Sequence, residues 1–367
     1  MIVARVLVGL AGLAVMLTTT LSAARTTVLP RGVASRLARA VFLGLRALFR
    51  LRLGRSPTYE RRDEVFASYG PLSLLALLQV WLLLIWLGGA AAMWAVTGEG
   101  RSVHRALGES GSSLLTLGFI APHGARQTAL TFVEASLGLL LVALLISFLP
   151  AIYSAFSRRE ATVSKLQVRA GSPPCGWELL IRFFRIQGLD QLDGLWRGME
   201  DWFVDIEESH TSFAALVFFR SPQPDHSWVT ASGATLDAAA LRVSALDLPN
   251  DPDAQLCLRA GYLALRSIAD YFDVPYDPDP APDDPISVTR VEVETVLDEL
   301  AAAGLALRAD RDQVWADFAG WRVNYDTPLL ALAALALAPY APWSSDRSLA
   351  GLPRPGLLRR PRLGPVR

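Results

Sequence analysis

Between Arg105 and Pro122 the chain reads RALGESGSSLLTLGFIAP, and the chemistry open to this run belongs to its backbone. A short helical segment, Leu107 to Leu115, runs into Thr116-Leu117-Gly118-Phe119, and the chain breaks at Pro122. The run is too short to cross a bilayer and lies between two long apolar stretches. Helix, then Thr-x-Gly-aromatic, between membrane helices is the layout of a re-entrant pore loop. Such a loop turns carbonyl oxygens toward an axis, where they replace the water around an ion. The blander reading is an outward loop that only packs two membrane helices together. Other side chains offer little competing chemistry. Asp201, Asp205 and Glu208 stand at i, i+4 and i+7, followed by His210, a spacing that can gather on one helix face. Acidic helix faces are ordinarily solvated, and no metal site is assigned. His104 and His123 flank the loop; surface histidines are the default reading, and pH tuning of the loop is the sharper one. Cys175 and Cys257 form no CxxC pair or Cys/His cluster. No Gly-rich phosphate loop, GxSxG or HExxH occurs, so neither a cofactor nor an enzymatic activity is expected.

The elements that must hold the loop are apolar. The 367 residues are 52% hydrophobic with a mean hydropathy of +0.31, which suits a few membrane spans joined to a soluble part. Leu72 to Val96 is the clearest span, with only Ser73 and Gln79 polar. Its Trp81, Trp86 and Trp94 mark an interface or pack against the short helix, and Gly88, Gly89 and Ala90 to Ala92 allow a neighbouring helix close. Ala129 to Phe148 is the next span, continuing past Pro150 toward Phe156, with Glu134 as its one carboxylate. Ile2 to Leu21 is long enough to span as well. Ser22-Ala23-Ala24 offers a signal-peptidase site, but ten Arg and one acid between Arg25 and Arg62 favour an uncleaved anchor with that segment inside. Counting spans puts the N-terminus and the loop outside, with Arg25 to Arg62 and everything from Arg158 onward inside.

Within the arginine-rich segment, Ser35 to Leu53 has helical periodicity. Arg36, Arg39, Arg46 and Arg50 share one face, while Leu37, Val41, Leu45 and Leu48 share another. Such a basic amphipathic helix lies on the inner leaflet with its arginines toward anionic lipid; the alternative is packing on the soluble part. Net charge is zero and unevenly spread, so a nucleic-acid partner is not indicated. Lys165 is the single lysine among many arginines, which suggests a GC-rich bacterial source.

The stretch from about Pro71 to Phe156 resembles the two-helix pore module of the potassium channel family. Thr116, Leu117, Gly118 and Phe119 align with that family's Thr-Val-Gly-Tyr/Phe selectivity filter. Ile120 stands where the second filter glycine belongs, and the usual following Asp is absent. The resemblance implies a homotetramer that conducts a monovalent cation such as K⁺. It also implies filter support by Glu134 and bending of the second span at Gly138. Glu134 can instead snorkel to the interface. Pro150 kinks the inner end; Gly138 and Pro150 are read as gating hinges or as merely tolerated in lipid. Ile120 is β-branched and poorly suited to positive φ, so the filter conformation is expected to end at Phe119, giving weak selectivity or a closed pore.

The remainder, about 157–350, shows repeated helical patterns and no alternating strands. Helices are expected over Trp177 to Ile186, Leu189 to Glu208, Thr235 to Leu246, Asp253 to Tyr271 and Val288 to Ala303, with a buried apolar helix at Pro328 to Ala338. A Pro/Asp-rich loop, Asp277 to Pro285, divides them. Six tryptophans, from Trp177 to Trp321, supply core anchors. The whole is expected to be an all-α membrane protein. It has an anchor (1–24), a basic interfacial segment (25–70), a pore module (71–156) with a re-entrant helix and loop, an all-α cytosolic domain (157–350) and a disordered tail (351–367). The function expected is a cation channel subunit of the bacterial inner membrane; the alternative is a non-conducting scaffold or sensor with a degenerate loop. The sequence names no cytosolic partner.

Overall fold

The computed structural model describes residues 2–27, 35–52, 64–97 and 102–347; the tail 351–367, expected to be disordered, lies outside them. The described residues form helices α1 (Ile2–Thr27), α2 (Arg36–Leu51), α3 (Tyr69–Val96), α4 (Val103–Leu114) and α5 (Ala125–Ala170). There follow α6 (Gly176–Arg185), α7 (Leu192–Ser212), α8 (Trp228–Ser244), α9 (Pro252–Tyr271), α10 (Arg290–Ala302), α11 (Arg311–Arg322) and α12 (Asp326–Ala336). No strand occurs among the described residues, only a lone antiparallel bridge between Leu246 and Leu307. Helices α1, α3 and α5 are long and apolar enough to cross a membrane. Contacts divide the described chain into two compact units: α1 to α4 with α5 through Ser154, and α5 from Ala155 with all that follows.

In the first unit α1 packs antiparallel on α3. Arg5 donates to the carbonyls of Trp94 and Thr97 at 2.9 and 2.5 Å, while the Trp81 indole donates to Ser22 Oγ at 3.3 Å. Glycine makes this pairing close. A Cβ on Gly88 would sit 2.8 Å from the Gly12 carbonyl oxygen, and one on Gly9 would sit 2.6 Å from the Ala95 methyl. Small residues let backbones meet where lipid offers no hydrophobic drive for association. The three tryptophans of α3 all find protein partners: Trp81 as above, Trp94 under the Arg5 guanidinium at 4.8 Å, and Trp86 on α4. Ser35 caps α2, accepting from Ala38 N–H at 3.4 Å. The helix buries Phe42 and Phe49 beside Phe66 and Tyr69, with ring centroids 5.5–5.8 Å apart and the Tyr69 hydroxyl on the Phe42 carbonyl at 2.7 Å. Between its leucine and arginine faces, α2 therefore carries a third, aromatic face.

Helix α5 runs 46 residues without a break at Pro150, about 70 Å at 1.5 Å per residue. The helix continues past Phe156, where the apolar span was expected to run out, and through Arg158 and Arg159. Arg158 pairs with Asp205 at 2.9 Å and Arg159 is buried.

The second unit is organised around α8, which buries every residue but Val243. It begins at Trp228, seven residues before the expected Thr235, because Ser227 caps it and its early positions are small. Thr230, Ser232 and Thr235 return their hydroxyls to carbonyls of their own turns, so their burial leaves no donor unmet. Gly176 of α6 and Gly261 of α9 let those helices approach. Helices α7 and α9 run parallel, tied by Trp196 to Asp251 at 3.2 Å and Ser267 to Glu207 at 2.7 Å. A buried network then closes the domain. Arg322 donates to Asp237 of α8 at 2.5 Å, to Asp326 at 2.8 Å and to the Trp343 carbonyl at 2.5 Å. Tyr325 donates to Asp237 at 2.9 Å, and Ser287 donates its N–H and hydroxyl to Asp326 at 2.8 and 2.7 Å. Removing one member of such a network leaves an opposite charge buried without compensation. Arg322→Met is therefore expected to destabilise the domain by about 3–5 kcal/mol, read as a lowered denaturant midpoint of the full-length protein. Arg322→Lys recovers only part of this, because an ammonium cannot serve three partners in a plane.

Candidate functional site

Helix α4 starts at Val103, four residues before the expected Leu107, because Ser102 caps it by accepting from Arg105 N–H at 3.4 Å. Its buried residues are small or polar except the last: Ala106, Glu109, Ser110, Ser112, Ser113 and then Leu114. This composition lets it lie close against both neighbours. The Trp86 indole of α3 donates to the Leu107 carbonyl at 2.9 Å, and Ser110 Oγ lies 2.8 Å from the Trp86 carbonyl and 2.6 Å from Glu134 Oε1 of α5. Glu134 is fully buried and turned toward Ser110, not toward an interface. Its Oε2 meets no donor among the described residues. Two glycines make the room: a Cβ on Gly89 would overlap the Glu134 carboxylate, and one on Gly138 would overlap the Leu114 carbonyl oxygen. Gly138 is thus a contact point between α4 and α5. Pro150 lies exposed, twelve residues further along α5.

The end of α4 is held by Ser112. Its carbonyl accepts Leu117 N–H at 2.9 Å and Gly118 N–H at 3.4 Å, while the Ser113 carbonyl accepts Thr116 N–H at 3.0 Å. This is a Schellman turn, whose left-handed position usually carries glycine. Here Thr116 occupies it, at φ 54°, and Gly118 follows at φ 70°. Left-handed conformations therefore alternate along Thr116-Leu117-Gly118-Phe119 and stop, since Ile120 is not left-handed. The strained, left-handed Thr116 was not foreseen. The Ile120 N–H donates to Ser112 Oγ at 3.3 Å. Leu117 and Phe119 are 61% and 67% exposed in the single chain.

A second tie, which the sequence reading missed, crosses from α4 to the start of α5. Arg105 reaches Glu109 Oε1 at 3.2 Å, Gln127 donates to Glu109 Oε2 at 3.3 Å, and Gln127 Oε1 accepts His123 N–H at 2.7 Å. Glu109 and Gln127 are buried and eighteen residues apart, with no spacing signal to link them. The backbone of His123 is engaged, while its ring lies exposed with His104. Of the arginines expected to face lipid, Arg36 and Arg50 are exposed, and Arg39 and Arg46 are half-buried. Of the acidic residues singled out on α7, Asp205 pairs with Arg158, Glu208 accepts from Ser212 at 3.3 Å, and Asp201 is exposed; the neighbouring Glu207 accepts from Ser267. No group of His, Cys, Asp and Glu among the described residues could hold a metal ion. Burial pushes the Cys175 thiol up to about 12, leaving no thiolate there at neutral pH.

Comparison with models of known families, with curated proteins and with solved structures finds no match for the chain.

The loop geometry makes two mutational expectations. Thr116→Gly relieves a left-handed β-branched residue and raises stability by about 0.5–1 kcal/mol; Thr116→Val, equally branched, brings no gain. Gly138→Ala drives a methyl into the Leu114 carbonyl and costs about 1–3 kcal/mol. Thermal unfolding of the detergent-solubilised protein reads both.

Proposed function

We propose that the chain is one subunit of a homo-oligomeric, pore-loop cation channel of the bacterial inner membrane, weakly selective among monovalent cations. The observation that carries the reading is the alternation of left-handed backbone at Thr116 and Gly118 directly after a short helix, in a loop between two apolar spans. Such alternation is what lets successive carbonyls face one side, where they can stand in for an ion's hydration shell. Helix α4 ends at this loop, and the negative end of its dipole favours a cation there. One loop cannot encircle an ion, so several copies must close around an axis; the resemblance to potassium channels implies four. The exposed Leu117 and Phe119 side chains support neighbours of this kind, since a loop between membrane helices gains nothing from bare apolar groups. Glu134 and Glu109 would brace the loop from behind, and Gly138 and Pro150 would bear on gating. Arg36, Arg39, Arg46 and Arg50 of α2 would hold anionic lipid at the inner leaflet, each contributing on the order of 1 kcal/mol. The second unit would then be cytosolic.

Because left-handed backbone ends before Ile120, the filter would have fewer stacked carbonyl rings than the potassium channel pattern. Weak discrimination between K⁺ and Na⁺ follows if selectivity depends on the number of stacked sites. A second reading, a non-conducting membrane scaffold or sensor, draws on the same turn: a Schellman cap alone accounts for the left-handed Thr116. Bi-ionic K⁺/Na⁺ recordings from reconstituted protein separate the two. Current reversing near zero, and lost in a folded Gly118→Val variant, is expected. Strong K⁺ selectivity would show that Ile120 does not shorten the filter, and a silent, folded oligomer would leave the scaffold.

A further inference from the structure

Arg159 is the least expected group in the second unit. It follows the apolar part of α5, where an arginine ordinarily snorkels to water, yet it is 1% exposed. Its guanidinium is spent inward. Nε donates to Glu160 Oε1 at 2.8 Å, Nη1 to the Leu216 carbonyl at 2.8 Å and Nη2 to the Phe219 carbonyl at 2.7 Å. Those carbonyls belong to the 3₁₀ segment Ala214–Phe218 and the residue after it. The Phe156 ring lies 5.1 Å beneath the guanidinium and packs on Phe219 at 5.8 Å. One arginine thus fastens the Ala155–Ala170 part of α5 to the segment that follows α7.

The remaining neighbour of Nη1 is His210 Nε2, at 3.2 Å. A guanidinium only donates, so Nε2 must present a lone pair. The ring proton then sits on Nδ1, 3.0 Å from the Ile206 carbonyl of the same helix and 3.1 Å from Ser209 Oγ. His210 is fully buried. Arg159 is the charged group against it, and Glu160 is the nearby carboxylate, bonded to Arg159. The 3₁₀ segment offers only carbonyls, and α8 offers the Trp228 ring at 4.7 Å. A second proton on His210 would set N–H⁺ against N–H⁺ at the site of the present hydrogen bond, and both bonds could not survive.

We infer that Arg159 and His210 form an acid-released latch that fastens the Ala155–Ala170 stretch of α5 to the helical domain. The latch is closed while His210 is neutral and opens when it takes a proton. Burial, and then the Arg159 charge, hold His210 well below the ordinary histidine range in the closed state. In the open state, in water, it titrates near the ordinary value of about 6.5. The open state therefore binds the extra proton. The closed state is at full strength above pH about 6.5 and loses ground as pH falls below it, by up to about tenfold in the closed-to-open ratio per pH unit. The helix so released is the one that carries Glu134 and Gly138, so under the channel reading the latch would regulate the pore. The latch itself does not depend on that reading.

Hydrogen exchange of the full-length, detergent-solubilised protein tests it, after correction for the intrinsic pH dependence of exchange. Between pH 6.5 and 5.5, protection of peptides covering 155–163 and 213–219 is expected to fall by about fivefold, while α8 holds its protection. His210→Gln keeps an acceptor for Arg159 without a titrating proton and should abolish the pH effect. A variant with His104, His123 and His226 all changed to Gln should retain it, and decides the matter if His210→Gln does not fold. Equal protection of both peptides across this range in the wild type would overturn the latch. So would its survival in His210→Gln, or its loss in the triple variant. Recording current over the same pH range reads the consequence for the pore separately.

Discussion

Inside a bilayer an unmade hydrogen bond cannot be handed to water, so polar groups carried into the first unit are drawn to partners in protein, Glu134 Oε2 being an exception among the described residues. Four of the five threonines of α1, Thr18, Thr20, Thr26 and Thr27, turn back to carbonyls in their own turns. Arg5 spends its charge on the last carbonyls of α3, where the helix dipole favours it. The same requirement sets the position of α4. Ser110 Oγ lies within hydrogen-bond distance of both the Trp86 carbonyl and Glu134 Oε1, its one hydrogen serving one of them, and the Gln127 amide joins Glu109 to the far side of the loop. The glycines fall where the polar groups need space: Gly89 yields to a carboxylate and Gly138 to a carbonyl.

The second unit meets a related difficulty by different means. Its core helix is made of small residues, so what surrounds it can approach at backbone distance, and long-range order comes from two buried guanidiniums. Arg322 joins α8 to the segment ending at Trp343, and Arg159 joins α5 to the 3₁₀ segment. Each ends partly on backbone carbonyls, which fixes direction as well as charge. Burying such a group carries a desolvation cost that its partners offset, and taking one partner away leaves the opposite charge uncompensated.

The three long apolar helices and the presence of a short helix before Thr116 were legible in the sequence because hydropathy and helical periodicity are local signals; the Ser102 cap was missed, and Glu134 stood out as a lone acid in an apolar run without its burial being decided. What was illegible depends on partners far away in the chain. Glu109 and Gln127 mean nothing separately. Arg159 reads as a surface charge marking the inner side of a membrane, and only the carbonyls of Leu216 and Phe219 make it a buried one. Thr116 gives no hint of left-handed backbone, since β-branching argues against it; the turn is imposed by two amides converging on the Ser112 carbonyl. Helix α11 went unread although Asp310 caps it, accepting from the amides of Asp312 and Gln313. Its apolar stripe is thin, with Val314, Phe318 and Ala319 sharing the buried side with Arg322.

A helix buried on every side has a history as well as a position. The ribosome delivers α8 before its partners α9, α11 and α12, and about a hundred residues separate Ser244 from the Trp343 carbonyl that closes the network. At some 5–20 residues per second that interval lasts roughly 5–20 s. Throughout it, a helix whose polar groups, Asp237 among them, still lack their partners waits at the exit of the tunnel with α6 and α7 alone to cover it. Synthesis of this domain therefore passes through a window in which the helix it buries most completely is the most available for contact with other chains. Slowing translation across 245–343 widens that window; a holdase that recognises α8 narrows its consequences.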